Sequence, residues 1–492
     1  MCGIAATIGI PDPVVFERLF TPLAHRGPDG HGMAERGNLR LGSHRLAIVG
    51  DSHPLPLQDG KGRVLAFNGE IYNHRELRRE FEGYPFRTGS DGEVLFPLLA
   101  RDGWQGLRRL RGMFAFVLAD FETGAFLAAR DPYGIKPLYY ARSRGGFAFA
   151  SELKSFAAFG DAVQFLPPGH LISPEGLRRW YRLPGRFPKP SRPPLREILQ
   201  QAVACHLPQT GPCGVFLSGG LDSSLVAALA ARVRPDLVAY SVILPGSPDE
   251  APAAEVAARL GLRHVVVRAT VEEIKAILPT VVAALESYHP VMVRNAVPLY
   301  LLSREARKEC KVVLGGDGAD ELFAGYDYLD TLPPRAWPQA MDYGFNNLHR
   351  TELHRVDRMT MAHGLEMRVP FLDCTVAEAA LDLSLADKVR THRGQRLVKW
   401  ALREAAEGLL PEEIRWRRKI PLVEGSGFSG IRLNNGVSPG TKEEESLAKA
   451  FFPLWRAAFP QVDLDAPCWR DAGSYHPFKG DHGQPILALF RD

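Results

Sequence analysis

A small residue at position 2 permits removal of the initiator methionine, and here that residue is Cys2. Once Met1 leaves, Cys2 carries a thiol and a free α-amine on one residue. An α-amine titrates near pKa ~7.7–8.0, so it can serve as the thiol's own general base with no histidine involved. A second group, SGGLDSS (218–224), stands where a buried-strand pattern, CGVFLSG (213–219), runs into helix-like LDSSLVAALAARV (221–233). Two glycines let the backbone fold around an anion. The amides and hydroxyls of the serines, with the helix N-terminus, make a pyrophosphate cradle against which Asp222 can hold Mg²⁺. The G-x-x-x-x-G-K-[ST] pattern occurs nowhere, so this is a different phosphate loop. A third group, VVLGGDGADELFAGY (312–326), sets Asp317, Asp320 and Glu321 on a glycine-rich strand exit, where parallel sheets bind ligands. GSGFSG (425–430) satisfies G-x-G-x-x-G, but the IRLNNGVSPG that follows is poor helix sequence, so it reads as a glycine-rich loop.

These groups need two kinds of scaffold. LRLGSHRLAIVG (39–50), GRVLAFNGEIYNH (62–74), MFAFVLADF (113–121) and GAFLAARD (124–131) are short apolar runs punctuated by turn residues, which predicts antiparallel strands. One helical stretch interrupts them near residues 91–102. LPGRFPKPSRPP (183–194) then packs five prolines into twelve residues and reads as a linker. Beyond it, strand patterns at 213–219, 237–244, 264–269 and 311–318 alternate with helical patterns at 221–233, 250–261 and 271–287. That alternation predicts a parallel sheet with helices on both faces. The length of 492 residues exceeds what a single core supports, so at least two domains are expected. A net charge of +4 gives no support for a nucleic-acid partner, and no apolar run approaches the ~18 residues of a membrane span. Six cysteines without a C-x-x-C pair suggest neither a disulfide framework nor a zinc site. With no signal-peptide core at the N-terminus, a cytoplasmic location is expected.

HRGPDG (25–30), SHRLAI (43–48), NGEIYNH (68–74), SDGEV (90–94) and RDPYGIKPLYY (130–140) follow Cys2 in order. Together they resemble the glutamine amidotransferase domain of the N-terminal-nucleophile hydrolases. The resemblance implies an αββα sandwich in which Cys2 attacks the side-chain amide of L-glutamine. Asn68 would offer its side-chain NH2 and Gly69 its backbone N–H as an oxyanion hole. By the same resemblance Arg45 clamps the substrate α-carboxylate and Asp91 pairs with its α-ammonium, with Ile48 and Glu70 beside them. HRGPDG is a nearby loop with no chemical step assigned. SGGLDSS is similar to the loop of ATP pyrophosphatases, which adenylate a substrate in a doubly wound parallel-sheet (α/β) domain. Taken with VDRMTMAHGLEMRVPFLD (356–373) and WRRK (416–419), the chain over roughly residues 2–425 resembles the glutamine-hydrolysing asparagine synthetases.

That resemblance implies a glutaminase domain over 2–182, a linker over 183–194 and a synthetase domain over 195–492. It places ATP against Leu217, Ser218, Gly219, Gly220, Asp222, Ser223, Ser224, Val242, Gly315 and Gly316, and Mg²⁺ on Asp222 and Asp320. Lys419 would neutralise the reacting carboxylate and phosphate, and Asp317 would orient or deprotonate ammonia, delivered through a protected passage. A homodimer through the N-terminal domains is implied as well. The chain reads Gly315-Gly316-Asp317-Gly318 where the family has Ser-Gly-Glu-Gly, and Glu352 stands where the family commonly has Asp. The expected acceptor is L-aspartate, with another small-molecule carboxylate, as in the β-lactam synthetases, as the alternative.

Overall fold

Two alternating sequence patterns give two kinds of sheet in the computed structural model. It describes residues 2–462 apart from 51–52, 144, 160–162, 183–192, 393 and 431–440, and, in the helix Thr441–Ala458, the backbone alone over 441–446. Most of the Pro-rich 183–194 segment therefore lies outside the described residues, as do residues 463–492. The described residues fall into two compact units, one built on residues 2–182 and one on most of residues 193–458.

The first unit holds two six-stranded sheets. One runs Val163–Phe165, Tyr139–Ser143, Gly146–Ala150, Cys2–Ile8, Leu39–Arg45, Gly30–Arg36 in spatial order. The other runs Gly176–Arg179, His170–Ser173, Phe126–Arg130, Gly112–Asp120, Arg63–Ile71, Leu57–Gln58. The strand pairings are antiparallel. Period-2 alternation sorts the side chains of Arg63–Ile71. Val64 and Ala66 meet Ile4, Ala6, Leu41 and Phe149 between the sheets. Leu65 and Phe67 face the other way, onto Leu77, Leu95, Phe96 and Leu98 of the covering helices. Phe16 and Phe20 of the helix Pro13–Phe20 pack over Gly42 on the outer face of the first sheet. The result is the αββα layering. The helix expected over 91–102 is split into a 3₁₀ turn, Asp91–Val94, and an α-helix, Leu95–Asp102. Pro97 has no N–H to return to the carbonyl of Glu93, so α-helical hydrogen bonding starts afresh beyond it.

The second unit is a five-stranded, all-parallel sheet ordered Arg263–Val267, Val238–Val242, Cys213–Phe216, Val312–Leu314, Glu366–Arg368. The chain moves outward one way from the central Cys213–Phe216 and then the other way. The strand order reverses between that strand and Val312–Leu314, and such a switch point opens a crevice at the strand carboxyl ends. The glycine-rich 425–430 segment is less loop-like than its composition suggests, with a short helix Leu422–Gly425 leading to a 3₁₀ turn Phe428–Gly430. Among the described residues no single helix is long and apolar enough to cross a membrane.

Candidate active sites

Strand register places the first constellation. Cys2 begins its strand directly opposite Arg45, while Asn68 and Gly69 lie near the end of Arg63–Ile71. The Cys2 nitrogen donates to Asn68 Oδ1 at 3.1 Å. Asn68 is fully buried, and its Nδ2 has no hydrogen-bond partner. With the oxygen end of the amide held by the chain start, the NH2 end is a buried donor lacking an acceptor. Such a group costs about 1–3 kcal/mol unless something fills it, and a developing oxyanion would. Gly69 cannot carry a side chain, since a Cβ there would stand 2.2 Å from Met113 O and 2.6 Å from Phe114 Cα on the neighbouring strand.

Cys2, Arg45, Ile48, Gly69, Glu70 and Asp91 line one small cleft of about 40 Å³. Arg45 donates to the carbonyls of Val49 and Gly50 at 3.2 and 3.0 Å, which fixes the fork. Asp91 accepts from the Ile71 N–H at 2.7 Å. Burial pushes the Cys2 thiol up, opposed by Leu46 and Arg45 and reinforced by Asp91. A thiol held protonated needs a base at the moment of attack, which is the role open to the α-amine.

The HRGPDG segment supplies a part the motif did not disclose. Arg26 is wholly buried, donates to the Cys2 carbonyl at 3.2 Å and pairs with the equally buried Glu152 at 2.6 Å. It ties the nucleophile's backbone to the far side of the sheet. Glu152 also holds Lys154 at 2.8 Å and His25 at 3.2 Å, so removing Arg26 weakens its pairing without stranding it. Arg26→Met is therefore expected to lower unfolding free energy by about 1–3 kcal/mol, read as a fall in the denaturant midpoint. An unchanged midpoint would mean that Glu152 is satisfied without it.

The second constellation surrounds a cavity of about 270 Å³ at the switch point. The loop after Cys213–Phe216 is braced by its own serines. Ser218 N donates to Ser223 Oγ at 3.2 Å, the two hydroxyls lie 3.1 Å apart, and Gly220 N donates to Ser218 Oγ at 3.3 Å. Gly220 caps the helix Leu221–Ala231. Leu217, Ser218, Gly220, Asp222 and Ser223 line the cavity from this side. Val242, Gly315, Gly316, Asp317, Asp320 and Lys419 line it elsewhere. Gly219 and Ser224 do not reach it. Gly219 is packed against Pro252 and Ala253, and Ser224 is fully buried in its helix.

Lys399, which sequence reasoning passed over, sits at the centre. It is 2% exposed, and its Nζ lies 2.5 Å from Asp222 Oδ2 and 2.6 Å from Asp320 Oδ1. Lys419 Nζ reaches Asp320 Oδ2 at 2.7 Å. Burial disfavours ionisation of Asp320, but the two ammonium groups outweigh it and hold the carboxyl below the usual range. For Lys419 the same carboxylates outweigh burial and raise the ammonium's pKa. Arg417 donates to the carbonyls of Ser218 and Pro248 and to Asp249, which anchors WRRK to the loop. Two carboxylates sharing one cationic centre, with Asp222 Oδ1 buried and lacking a hydrogen-bond partner, form an oxygen-donor set suited to Mg²⁺. Beyond them Glu321 accepts from the Tyr326 hydroxyl. Burial, with Glu352 and Asp320 nearby, pushes Glu321 up to about 8. Burial also raises Asp317, opposed by Arg355 and reinforced by Glu352.

Comparison with known proteins bears on both units. Residues 1–170 match a family model described as glutamine amidotransferase domain. Residues 194–344 and 334–436 match one described as asparagine synthase. A glutamine-hydrolysing asparagine synthetase of Sandersonia aurantiaca is 37% identical, covering 94% of this chain and 97% of its own length. One from Brassica oleracea is 35% identical over 93% of this chain and 85% of its own. Among solved structures, a glutamine phosphoribosylpyrophosphate amidotransferase from B. subtilis aligns with 54% of this chain and 66% of its own at 21% identity and a TM-score of 0.33, too distant to bear on the site. With a cleft built on Cys2 and Asn68 in one unit, a braced phosphate loop in the other, and relatives matching almost end to end, this chain belongs to the glutamine-hydrolysing asparagine synthetase family.

Proposed function

We infer that the chain makes L-asparagine from L-aspartate, taking nitrogen from glutamine and driving the reaction with ATP, with glutamate, AMP and pyrophosphate as the other products. The observation that carries this reading is one chain holding both a buried, acceptor-less Asn68 amide beside the Cys2 nitrogen and a phosphate loop whose Asp222 shares an ammonium with Asp320. We assign residues 2–182 to the glutaminase, 183–194 to a linker and 195–492 to the synthetase.

In the glutaminase, the Cys2 thiol loses its proton to the α-amine and adds to the glutamine amide carbon. Asn68 Nδ2 and the Gly69 N–H receive the oxyanion, Arg45 and Asp91 hold the amino-acid end, and ammonia leaves as the acyl-enzyme forms. Water then releases glutamate. Asn68→Ala is expected to lower kcat for glutamine hydrolysis about 10²–10³-fold while shifting KM much less, because the donor acts on charge that develops in the transition state. Steady-state glutamate release reads this, and a loss confined to KM would contradict it.

In the synthetase, carboxylate is a poor acyl donor until its oxygen is turned into a leaving group. The aspartate side-chain carboxylate attacks the α-phosphorus of ATP and pyrophosphate departs along the Ser218–Ser224 loop. Lys399 and Lys419 face the negative charge that accumulates. We propose that Asp222 and Asp320 hold Mg²⁺, which supplies charge neutralisation to the departing pyrophosphate. Ammonia, oriented by Asp317, attacks the acyl-adenylate and AMP leaves. We place the enzyme in the cytoplasm, as a homodimer through its first unit. The test is AMP release with glutamine, ATP and Mg²⁺, with and without L-aspartate, and the product identified by mass. Aspartate-dependent AMP matched by asparagine supports the reading. Glutamate release with no aspartate-dependent AMP points to a different carboxylate acceptor.

A further inference from the structure

Three metal-ligating side chains converge outside the synthetase cavity, where the helix Leu195–His206 ends against the start of the helix Cys374–Asp382. Cys205 Sγ lies 3.5 Å from His206 Nδ1 and 3.7 Å from Asp373 Oδ2, and Nδ1 lies 3.9 Å from the same Oδ2. All three belong to the second unit, and none of them lines the cavity around Asp222 and Asp320. The fold fixes the group from both sides. Asp373 caps its helix through Oδ1, which accepts from the Thr375 N–H and hydroxyl at 3.0 and 2.7 Å and leaves Oδ2 on the side of the sulfur. The buried Arg368 donates to the His206 carbonyl at 2.9 Å. His206 and Asp373 are buried, while Cys205 is half-buried and gives a way in from solvent.

A zinc ion bound at ~2.3 Å to sulfur and ~2.0–2.2 Å to nitrogen and oxygen holds these atoms about 3.3–3.7 Å apart at tetrahedral angles. Two of the observed separations fall inside that range, and the third exceeds it by a few tenths of an ångström. Thiolate, imidazole and carboxylate together suit zinc, whereas Mg²⁺ takes oxygen donors. No local spacing marks the set, because Cys205 and His206 are neighbours and Asp373 lies 168 residues beyond Cys205. The lack of a C-x-x-C pair therefore does not bear on it.

We propose that Cys205, His206 and Asp373 bind Zn²⁺, with water in the fourth position, as a clip between two helices that is separate from the Mg²⁺ site. On binding, the Cys205 S–H bond breaks and its proton goes to solvent as the S–Zn bond forms. The Nδ1 proton, donated to the Ala202 carbonyl at 2.8 Å, moves to Nε2, and the imidazole ligates as the neutral base. The clip bears on the synthetase through packing. The helix Leu195–His206 lies on Leu221–Ala231, which carries Asp222. Leu372, next to Asp373, packs so closely on Gly318 that a Cβ there would stand 2.6 Å from Leu372 Cγ. The identity of the amidated carboxylate does not enter the inference.

The experiment uses the full-length chain, stripped of metal with a chelator, desalted, kept reduced with a phosphine and free of nucleotide. It is titrated with ZnCl₂ against a chromogenic chelator and, separately, with CoCl₂, whose thiolate complexes show a charge-transfer band in the near ultraviolet. Wild type is expected to take up Zn²⁺, to show the cobalt band, and to gain in thermal midpoint on adding Zn²⁺. An excess of Mg²⁺ leaves the band in place. Cys205→Ser, a one-atom change at a half-buried position, is expected to weaken Zn²⁺ binding at least ~10²-fold and to abolish both the band and the thermal gain. His206→Gln is expected to weaken Zn²⁺ binding comparably, and where that variant does not fold the Cys205→Ser result decides alone. Two controls test which thiol is involved. Cys374→Ser keeps the band, since Cys374 Sγ stands 3.9 Å from the other oxygen, Asp373 Oδ1. Cys2→Ala keeps it as well, Cys2 lying in the first unit. A wild-type protein with no cobalt band overturns the proposal. So does a band that survives Cys205→Ser, a band lost in Cys374→Ser or Cys2→Ala, or a folded His206→Gln protein with wild-type Zn²⁺ affinity.

Discussion

Cys2→Ala is expected to abolish glutamine hydrolysis and to leave ammonia-supported asparagine synthesis intact. The cleft around Cys2 contains one thiol, and the residues around it position or stabilise. Asn68 holds the nitrogen, Arg26 the carbonyl, and Arg45 stands across the strand. Without the thiol no acyl-enzyme forms, and loss of a nucleophile acting as part of a unit costs on the order of 10⁴–10⁶-fold. Truncation at a partly buried side chain next to the cleft should disturb little else, since the backbone contacts remain. With ammonium chloride, at a pH high enough to provide free ammonia, AMP release should stay within about twofold of wild type, because the truncation only unmakes a covalent step. Residual glutaminase activity in Cys2→Ala above about one part in a hundred would remove Cys2 as nucleophile. A pH profile sharpens the test. Burial raises the Cys2 thiol pKa, so the free thiolate is scarce at neutral pH. Wild-type kcat/KM for glutamine should then rise with pH as the α-amine, with an ordinary pKa of ~7.7–8.0, loses its proton. A flat profile between pH 6 and 9 would assign the base elsewhere.

How much of this was legible in the sequence depends on whether a residue's job is local. The phosphate loop announces itself because strand, glycines, serines and helix are contiguous over 213–233, and the structure has Cys213–Phe216 and Leu221–Ala231 there. The central antiparallel strands of the first unit were readable as short apolar runs bounded by turn residues, as at Arg63–Ile71 and Gly112–Asp120, both buried along nearly their whole length. The fifth parallel strand, Glu366–Arg368, was not. It is three residues long and two of them are charged, buried as an ion pair at 2.5 Å, so no apolar run marks it. The helix Pro290–Ala306 was not read either, although Val271–Leu285, which also carries an internal proline, was. Arg26 lay in a noticed motif, but its pairing with Glu152 spans 126 residues of sequence, and periodicity carries no such information.

Lys399→Met is expected to reduce aspartate-dependent AMP release at least about 10²-fold while glutamine hydrolysis continues. Nothing in QRLVKWALRE (395–404) marks its lysine as part of a site. The structure turns it inward by two devices. Lys399 adopts φ 57°, a left-handed backbone that costs a non-glycine residue about 1 kcal/mol or more. Its stem then passes Gly325, where a Cβ would stand 2.1 Å from both Lys399 Cε and Asp320 Oδ1. The strain and the glycine together deliver one ammonium between Asp222 and Asp320. That ammonium is the close partner of Asp222, whereas Asp320 keeps Lys419 at 2.7 Å and Asp222 has Lys419 only at 3.9 Å, and leaving a buried charge without its close partner costs about 3–5 kcal/mol. With ATP bound as proposed above, the same group would face the triphosphate. Methionine keeps the length and packing and removes the charge, so the thermal midpoint of Lys399→Met should fall. It should then recover on adding Mg²⁺ without nucleotide, because the bared carboxylates become a better oxygen site for a hard dication. Wild type, with its ammonium in place, should respond less to Mg²⁺ alone. Lys399→Arg should not rescue, since the planar guanidinium is wider than the passage beside Gly325. A Lys399→Met protein keeping a third of wild-type AMP release would reduce this lysine to a structural counter-ion. A midpoint indifferent to Mg²⁺ would separate the two aspartates from cation binding.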